Sequence, residues 1–412
     1  MSEVLKGQTR QGDFVHQTQG TAGDQGFKCV SRLWYPKTQA LSEGIDQLID
    51  DARQREDLTC PMGHMGLGLN DSGQIVLEYI DGREFVPTEH AFKQFATWAG
   101  VPHTFLNTMM RDVIAPNGKT KYTRDVQDKE TVIRVFQNGL RRVEKDKEFR
   151  FRTYTDGTLR AVLSSQYAII NNIWYLETLA ELFREVGGDE PRLSHWKGDA
   201  DTIYGNVLIS DTCRAEDDSD YGGMISISNC EIGIRRLSQF PSIFRAICMN
   251  GCIWDQELGS KINKVHRGEI NLKDLRADIA LNIHDQIPLM QAGVDKFLAL
   301  RDKVVAKDVP MGNIFALIAK ENAMSFGVSG QVSAMATQFA THEAGNTNLF
   351  GVVNAVTRTG QLYSPAEWVR LDEVAGKLMS YSDSQWEGFQ TRAKGLDTKE
   401  VREKIYGLVT AS

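Results

Sequence analysis

Two short alternating runs on either side of Asp156-Gly157 constrain this chain more than any other feature. Asp-Gly is a pair that tight two-residue hairpin turns favour. Before it, Phe149 and Phe151 alternate with Arg150, Arg152 and Tyr154; after it, Leu159, Ala161 and Leu163 alternate with Arg160, Val162 and Ser164. Successive side chains of a strand point to opposite faces. The spacing therefore predicts a hairpin with one apolar face and a cationic face carrying Arg150, Arg152 and Arg160. Leu176, Leu179, Ala180 and Phe183 follow at helical spacing, so a helix packs behind it. A basic hairpin on a helix suits a polyanion.

The remaining composition narrows the setting. A chain of 412 residues can bury one large core or two to three smaller ones. Its apolar and charged fractions are those of an ordinary globular protein. The net charge of -7 argues against indiscriminate coating of a polyanion but leaves room for a local basic groove. Residues 134–160 hold eight Lys/Arg against four Asp/Glu, so charge is segregated along the chain. The six cysteines, Cys29, Cys60, Cys213, Cys230, Cys248 and Cys252, form no paired framework, and the start shows no signal-peptide pattern. The expectation is a reducing cytoplasm, the host cytoplasm if a phage encodes the chain. No apolar run approaches the roughly 18 residues that span a bilayer, so no membrane partner is expected.

Residues 1–25, rich in Gly, Gln, Thr and Asp, are expected to form a flexible arm. Residues 26–128 read as an α+β region. In it a helix covers 41–56, strands lie near 65–69 and 74–79, and a further helix opens at Pro87-Thr88-Glu89. Residues 129–270 read as the core: a helix over 129–147, the hairpin, its helix, strands at 202–210 and 222–229, and a helix from Ile234 to about Cys248. Residues 271–412 read as helical, with breaks at Pro288, Pro310, Gly327–Gly330, Gly345 and Pro365. The predicted class is α+β: a central antiparallel sheet with a β-hairpin and packed helices, then a helical C-terminal third.

No catalytic signature assembles. The phosphate-loop pattern is absent, and Gly63–Gly68 lacks dinucleotide spacing, so no cofactor is expected. Cys60 with His64, and Cys248 with Cys252, each offer two ligands where a structural zinc takes about four, so they read as core and turn residues. Asp217, Asp218 and Asp220 lack calcium-loop spacing and read as a solvated turn. Ser329 in Gly-Val-Ser-Gly is no nucleophile elbow. The histidines, His90 and His266 among them, are dispersed. Neither a metal site nor a catalytic residue is expected.

Three basic stretches contain or border aromatics: 134–160, with Phe136, Phe149, Phe151 and Tyr154; 235–245, with Phe240 and Phe244; and 261–276, with Trp254 just upstream. Cations neutralise phosphates while aromatic rings stack on bases, which holds unpaired strands without sequence preference. The expected contacts are Arg150, Arg152 and Arg160 on phosphates, with Arg141, Arg142 and Lys145 extending the path. Tyr154 and Tyr167 are the stacking candidates. Arg235 and Arg236 would meet phosphate at the start of the predicted helix.

Several phrases also occur together: Phe85-Val-Pro-Thr-Glu-His-Ala-Phe-Lys-Gln-Phe95, Leu159-Arg-Ala-Val-Leu-Ser-Ser-Gln-Tyr167 with Ile-Asn-Asn172, Ile227-Ser-Asn-Cys-Glu-Ile-Gly233, Phe244-Arg-Ala-Ile-Cys-Met-Asn-Gly251 and Leu349-Phe-Gly-Val-Val-Asn-Ala-Val-Thr357. From Phe85 to Thr357 the set resembles the phage- and plasmid-associated family of unknown function numbered 932. That resemblance implies a mobile-element setting and carries over no active site. The hairpin-plus-helix pattern is similar, at the level of fold, to single-strand annealing proteins such as phage Red-beta and Erf. Those proteins bind unpaired DNA as rings or filaments without a nucleotide cofactor. The expectation is thus a phage-type single-stranded DNA-binding protein, with strand annealing and recombination as its extension. A homo-oligomer is expected; the apolar residues of the C-terminal third (Leu349, Phe350, Val352, Val353, Leu371, Val374, Leu378) would pack that domain alone or a neighbouring copy as well. Two rival expectations remain. One is a metal-dependent nucleic-acid enzyme using Asp199, Asp201, Asp211 and Glu231. The other is a protein that binds or inhibits a host factor.

Overall fold

The computed structural model describes residues 38–102, 104–105, 109, 113–114, 120–122, 126–144, 146–185, 191–209, 214–215, 220–245, 250–253, 262–322, 328–363 and 365–397. The predicted arm at 1–25, together with Lys145, Asp211 and Trp254, lies outside the described residues.

Strands β1 (Gln39–Ala40), β2 (Arg55–Pro61), β3 (Met65–Leu69), β4 (Ile75–Tyr79) and β5 (Glu84–Pro87) are interspersed with helices α1 (Leu41–Ala52) and α2 (Glu89–Trp98). A short ladder of β6 (Val113–Ile114) and β7 (Thr120–Tyr122) precedes α3 (Val126–Leu140). The hairpin β8 (Glu148–Tyr154) and β9 (Thr158–Ser164) leads into α4 (Asn172–Glu185). Next come β10 (Arg192–Gly198), β11 (Thr202–Leu208), β12 (Arg214–Ala215), β13 (Asp220–Cys230), β14 (Leu237–Arg245), β15 (Asn250–Ile253) and β16 (Ile262–Lys264). Helices α5 (Leu272–Ala299), α6 (Met311–Glu321), α7 (Val328–His342), α8 (Leu349–Gly360), α9 (Pro365–Met379) and α10 (Asp383–Lys394) follow.

The smaller main sheet runs β2-β8-β9-β5-β4-β3, antiparallel except for the parallel pair β5–β9. Its two outermost strands are consecutive in the chain, joined only by the single turn Met62–His64. The sheet must therefore curl until its edges approach. Its inner face carries Leu67, Leu77, Phe85, Phe149, Phe151 and Val162, and α2 and α3 fill it with Phe95 and Phe136, whose rings stack at 5.5 Å. Each fully buried side chain of this size contributes about 1.5–3 kcal/mol. The predicted Asp156-Gly157 turn is present: Gly157 takes φ 80°, and Asp156 Oδ1 accepts from the Thr158 N–H at 2.8 Å.

The larger sheet is antiparallel in the order β1-β10-β11-β13-β14-β15, with β12 added on β13 and β16 on β14. Ile203, Val207, Ile225 and Ile227 share one face, against Leu176 and Leu179 of α4 and Ile279 and Ile283 of α5. Further along, Tyr221 and Ile243 meet a helical core built from Phe297, Phe315, Phe350, Leu371, Trp386 and Phe389. Among the described residues no helix is long and apolar enough to cross a membrane.

The α+β class and helical C-terminal third match the sequence reading; several elements do not. The helix expected from Ile234 is strand β14. A proline inside a strand is unfavourable, since it cannot donate to a ladder. Here β14 pairs with β16 through Gln239 and with β15 from Ser242, so Pro241 falls in the gap between these short partners. The helix expected over 41–56 stops at Ala52, and Arg55 already belongs to β2. Pro288 does not break the chain but lies inside α5, whose two halves are both fixed by buried residues, Ile283 and Val294 among them. The division at 128/129 cuts through the curled sheet, because β2 pairs with β8 and β5 with β9.

Candidate functional site

The three quoted phrases between Phe85 and Gly233 meet where the curled sheet touches the turn between β13 and β14. That turn, Glu231–Arg236, begins with Glu231 and Ile232 buried and bends at Gly233, whose φ of 84° is a left-handed conformation that glycine adopts without strain. A Cβ at Gly233 would also come within 3.1 Å of Gln94 Nε2. The Ile232 carbonyl accepts from Gln94 Nε2 at 2.8 Å and from His90 Nε2 at 2.9 Å, both on α2. Gln94 Oε1 in turn accepts from the Val162 N–H of β9 at 2.8 Å. Burial holds the His90 pKa below its ordinary value, so a neutral imidazole donates here.

At the centre lies Arg152, 1 % exposed. It grips Asp57 of β2 with a two-pronged bond of 3.0 and 3.1 Å and donates to Glu231 Oε2 at 3.0 Å. Arg55 donates to the same Glu231 oxygen at 2.8 Å, and the other oxygen accepts from the Asn172 N–H at 2.7 Å. Asn229 ties in by donating to Asn172 Oδ1 and to the Ile170 carbonyl. Burial alone would push the Arg152 pKa down; Asp57, Glu231 and Asp201 more than reverse this and hold it charged. A buried charge left unpaired costs several kcal/mol, so this set is mutually obligatory.

Asp201, in the turn between β10 and β11, completes the cluster. Its backbone carbonyl accepts from the Glu231 N–H at 2.7 Å, and its carboxylate accepts from Arg160 Nη1 at 3.3 Å. Arg152 stands 4.0 Å away. The buried Tyr154 hydroxyl is near enough to favour the Asp201 carboxylate but makes no hydrogen bond of ordinary geometry with it. Burial, then the neighbouring Asp199, raises the Asp201 pKa to about 6 against the pull of Arg152, Tyr154 and Arg160. Arg160 lies 4.0 Å from the centre of the Tyr154 ring and stays 29 % exposed.

This geometry revises the predicted contacts. The alternation correctly set Arg150 and Arg152 opposite Phe149 and Phe151, but it could not show what covers that opposite face. Arg152 is an internal ion-pair residue and Tyr154 is 3 % exposed beneath Arg160, so neither is a surface contact. Arg150 is half-buried on that face, across from Thr59 and Leu163. Tyr167 is half-buried, stacked on His266 at 5.1 Å, with its hydroxyl donating to the Cys230 carbonyl. Arg141 and Arg142 are exposed just past α3, away from this joint; Arg141 lines a separate groove of about 490 Å³ with Met62, Gly63, His64 and Gln137. Arg235 and Arg236 precede a strand rather than opening a helix, so they have no helix terminus to share a phosphate with. Arg235 is half-buried within electrostatic reach of Tyr204, while Arg236 is exposed.

Sequence reasoning missed Arg55, Asp57, Gln94 and the structural use of Asn172 and Asn229. Arg55-Glu56-Asp57-Leu58 carries a weak signal, charges at alternate positions of a strand, obscured by its reading as a helix end. Of the carboxylates suggested for a metal, Asp201 and Glu231 do converge, but onto arginines. Among the described residues no group of three or more His, Cys, Asp or Glu is placed to hold a metal ion.

One surface gathers two of the basic stretches. Pairing of Leu237 with Lys264 sets Arg236 beside the end of β16, and Arg267 follows Lys264 by three residues; all three cations are exposed. The Gly268 N–H donates to the Gln166 carbonyl at 3.0 Å, and His266 lies on Tyr167, which fastens this rim to the end of the hairpin. Two apolar side chains stand out from it, Ile234 at 52 % and Val265 at 58 % exposure. Comparison with protein-family models, curated proteins and solved structures found no match.

Proposed function

We propose that the protein binds single-stranded nucleic acid along the rim formed by Arg236, Lys264 and Arg267, and that the strand runs on from this rim to the partly exposed Arg160 of the hairpin. The carrying observation is the meeting of exposed cations with exposed Ile234 and Val265 at one sheet-end, fastened to the hairpin. Cations there can neutralise phosphates, and apolar side chains can cover base faces that a duplex hides. Of the carboxylates suggested for a metal-dependent enzyme, Asp201 and Glu231 are engaged by arginines, which favours binding over chemistry. The mobile-element setting implied by the family resemblance suits such a binder, with annealing through a homo-oligomer as an extension.

The test is a titration of labelled oligothymidylate over a range of salt concentrations. Four phosphate contacts give a slope of about −3 in log affinity against log salt, since each contributes about −0.7 on a single strand. Arg236→Glu with Arg267→Glu should weaken all sequences alike and flatten the slope, because phosphate contacts carry no base information. Absence of binding at low salt, or an unaltered slope in the folded double variant, refutes the reading.

A further inference from the structure

We propose that Asp201 gates this interface: its carboxylate occupies Arg160 in the free protein, and a phosphate of the bound strand takes its place. The inference rests on the nucleic-acid reading above and adds a regulation to it.

The two arginines of the cluster are held very differently. Arg152 makes two bonds to Asp57 and one to Glu231, and is closed to solvent. Arg160 makes one long contact of 3.3 Å to Asp201 and rests on the Tyr154 ring. A guanidinium offers five N–H donors in a planar fork, and a phosphate accepts two of them side by side. Arg160 therefore keeps most of its donors for a ligand, already supported from beneath by an aromatic ring. Among the described residues Asp201 is the only carboxylate bonded to it, through a single oxygen.

The groups facing Asp201 come from every element around it. Arg152 and Tyr154 project from β8 and Arg160 from β9. Asp199 belongs to its own turn, and Glu231 reaches it through a backbone N–H. Two arginines at 3.3 and 4.0 Å do not offset its burial, and its carboxyl takes up a proton near pH 6. A second anion brought to Arg160 adds a like charge beside Asp201 and favours that proton further. Ligand binding and proton uptake are then coupled, and each must strengthen the other. Below pH 6 the neutral carboxyl releases Arg160; above it, the phosphate competes with the carboxylate.

The test measures oligothymidylate affinity on both sides of pH 6 for the wild type, Asp201→Asn and Arg160→Gln, each checked for folding by circular dichroism. The wild type should bind more tightly as pH falls, by up to about tenfold per pH unit for one coupled proton. Asp201→Asn should bind tightly and show little dependence across the same interval. Arg160→Gln should bind weakly and lose the same dependence, which keeps the test decisive if Asp201→Asn misfolds. A dependence that survives in both variants belongs to His90 or His266 and overturns the gate. Wild-type binding with no gain in Asp201→Asn also overturns it, leaving the interface standing. Failure of every form to bind removes both.

Discussion

Arg152 shows how far a single side chain can change meaning with its surroundings. On an open strand it would be a phosphate contact; here it joins β8 to β2 and to the β13–β14 turn. Removing one partner of a buried ion pair strands the others, at a cost of about 3–5 kcal/mol. Arg152→Met should lose that much stability in urea denaturation, and Glu231→Gln in the same chain should restore part of it. A loss of about 0.5 kcal/mol, typical of a surface position, would contradict the network. Asp201 gives a prediction of opposite sign. Its folded pKa is raised from 3.8 to about 6, so its contribution is fully present below 3.8 and is lost as pH rises through 6. Its carboxylate therefore costs stability at neutral pH, up to roughly 3 kcal/mol for a shift of that size. Asp201→Asn should be the more stable form at pH 7, with the advantage shrinking as pH falls from 6 towards 4. A wild type that loses stability relative to the variant over that fall contradicts the assignment.

Among the elements, α5 and the larger sheet approach each other closely. A Cβ at Gly223 of β13 would stand 2.4 Å from Met290 Sδ and 2.7 Å from Met290 Cβ. The methionine cannot clear both by rotating its tip, so Gly223→Ala pushes the helix and strand apart, at about 1–3 kcal/mol. Met290→Ala in the same chain should recover part of that loss; thermal denaturation of both variants measures it, and a neutral Gly223→Ala refutes the tight approach. The elements also differ in how plainly the sequence announces them. Asp156-Gly157 and its alternating flanks fix the hairpin locally, and Thr88 caps α2 by accepting from the Ala91 N–H. Strand β14 is not visible in that way, because Pro241 is acceptable only where two short partners leave a gap between them. Strand β2 hides for another reason: its charged residues are matched by partners distant in sequence.

At the scale of the whole molecule, the class, the hairpin and the helical end were legible, and the joint was not. Periodicity tells which side chains share a face. It does not tell that the β13–β14 turn covers the face bearing Arg152, because that depends on how two sheets meet. The quoted phrases pointed at the joint without explaining it: His90, Gln94, Tyr167, Asn172 and Glu231 all belong to them, and all bond across it. Arg236 and Lys264 were likewise visible as basic residues, but only strand pairing makes them neighbours.

The separation of Arg152 from its partners has a consequence for the chain as it is made. Asp57 emerges from the ribosome 95 residues ahead of Arg152, whereas Glu231 follows it by 79. Through that interval the curled sheet already has all its strands, yet its outer face carries a guanidinium with only part of its counter-charge. Water must solvate that face until the β13–β14 turn arrives. Dry closure of the outer face over Arg152 thus requires a carboxylate that the chain supplies only 79 residues later.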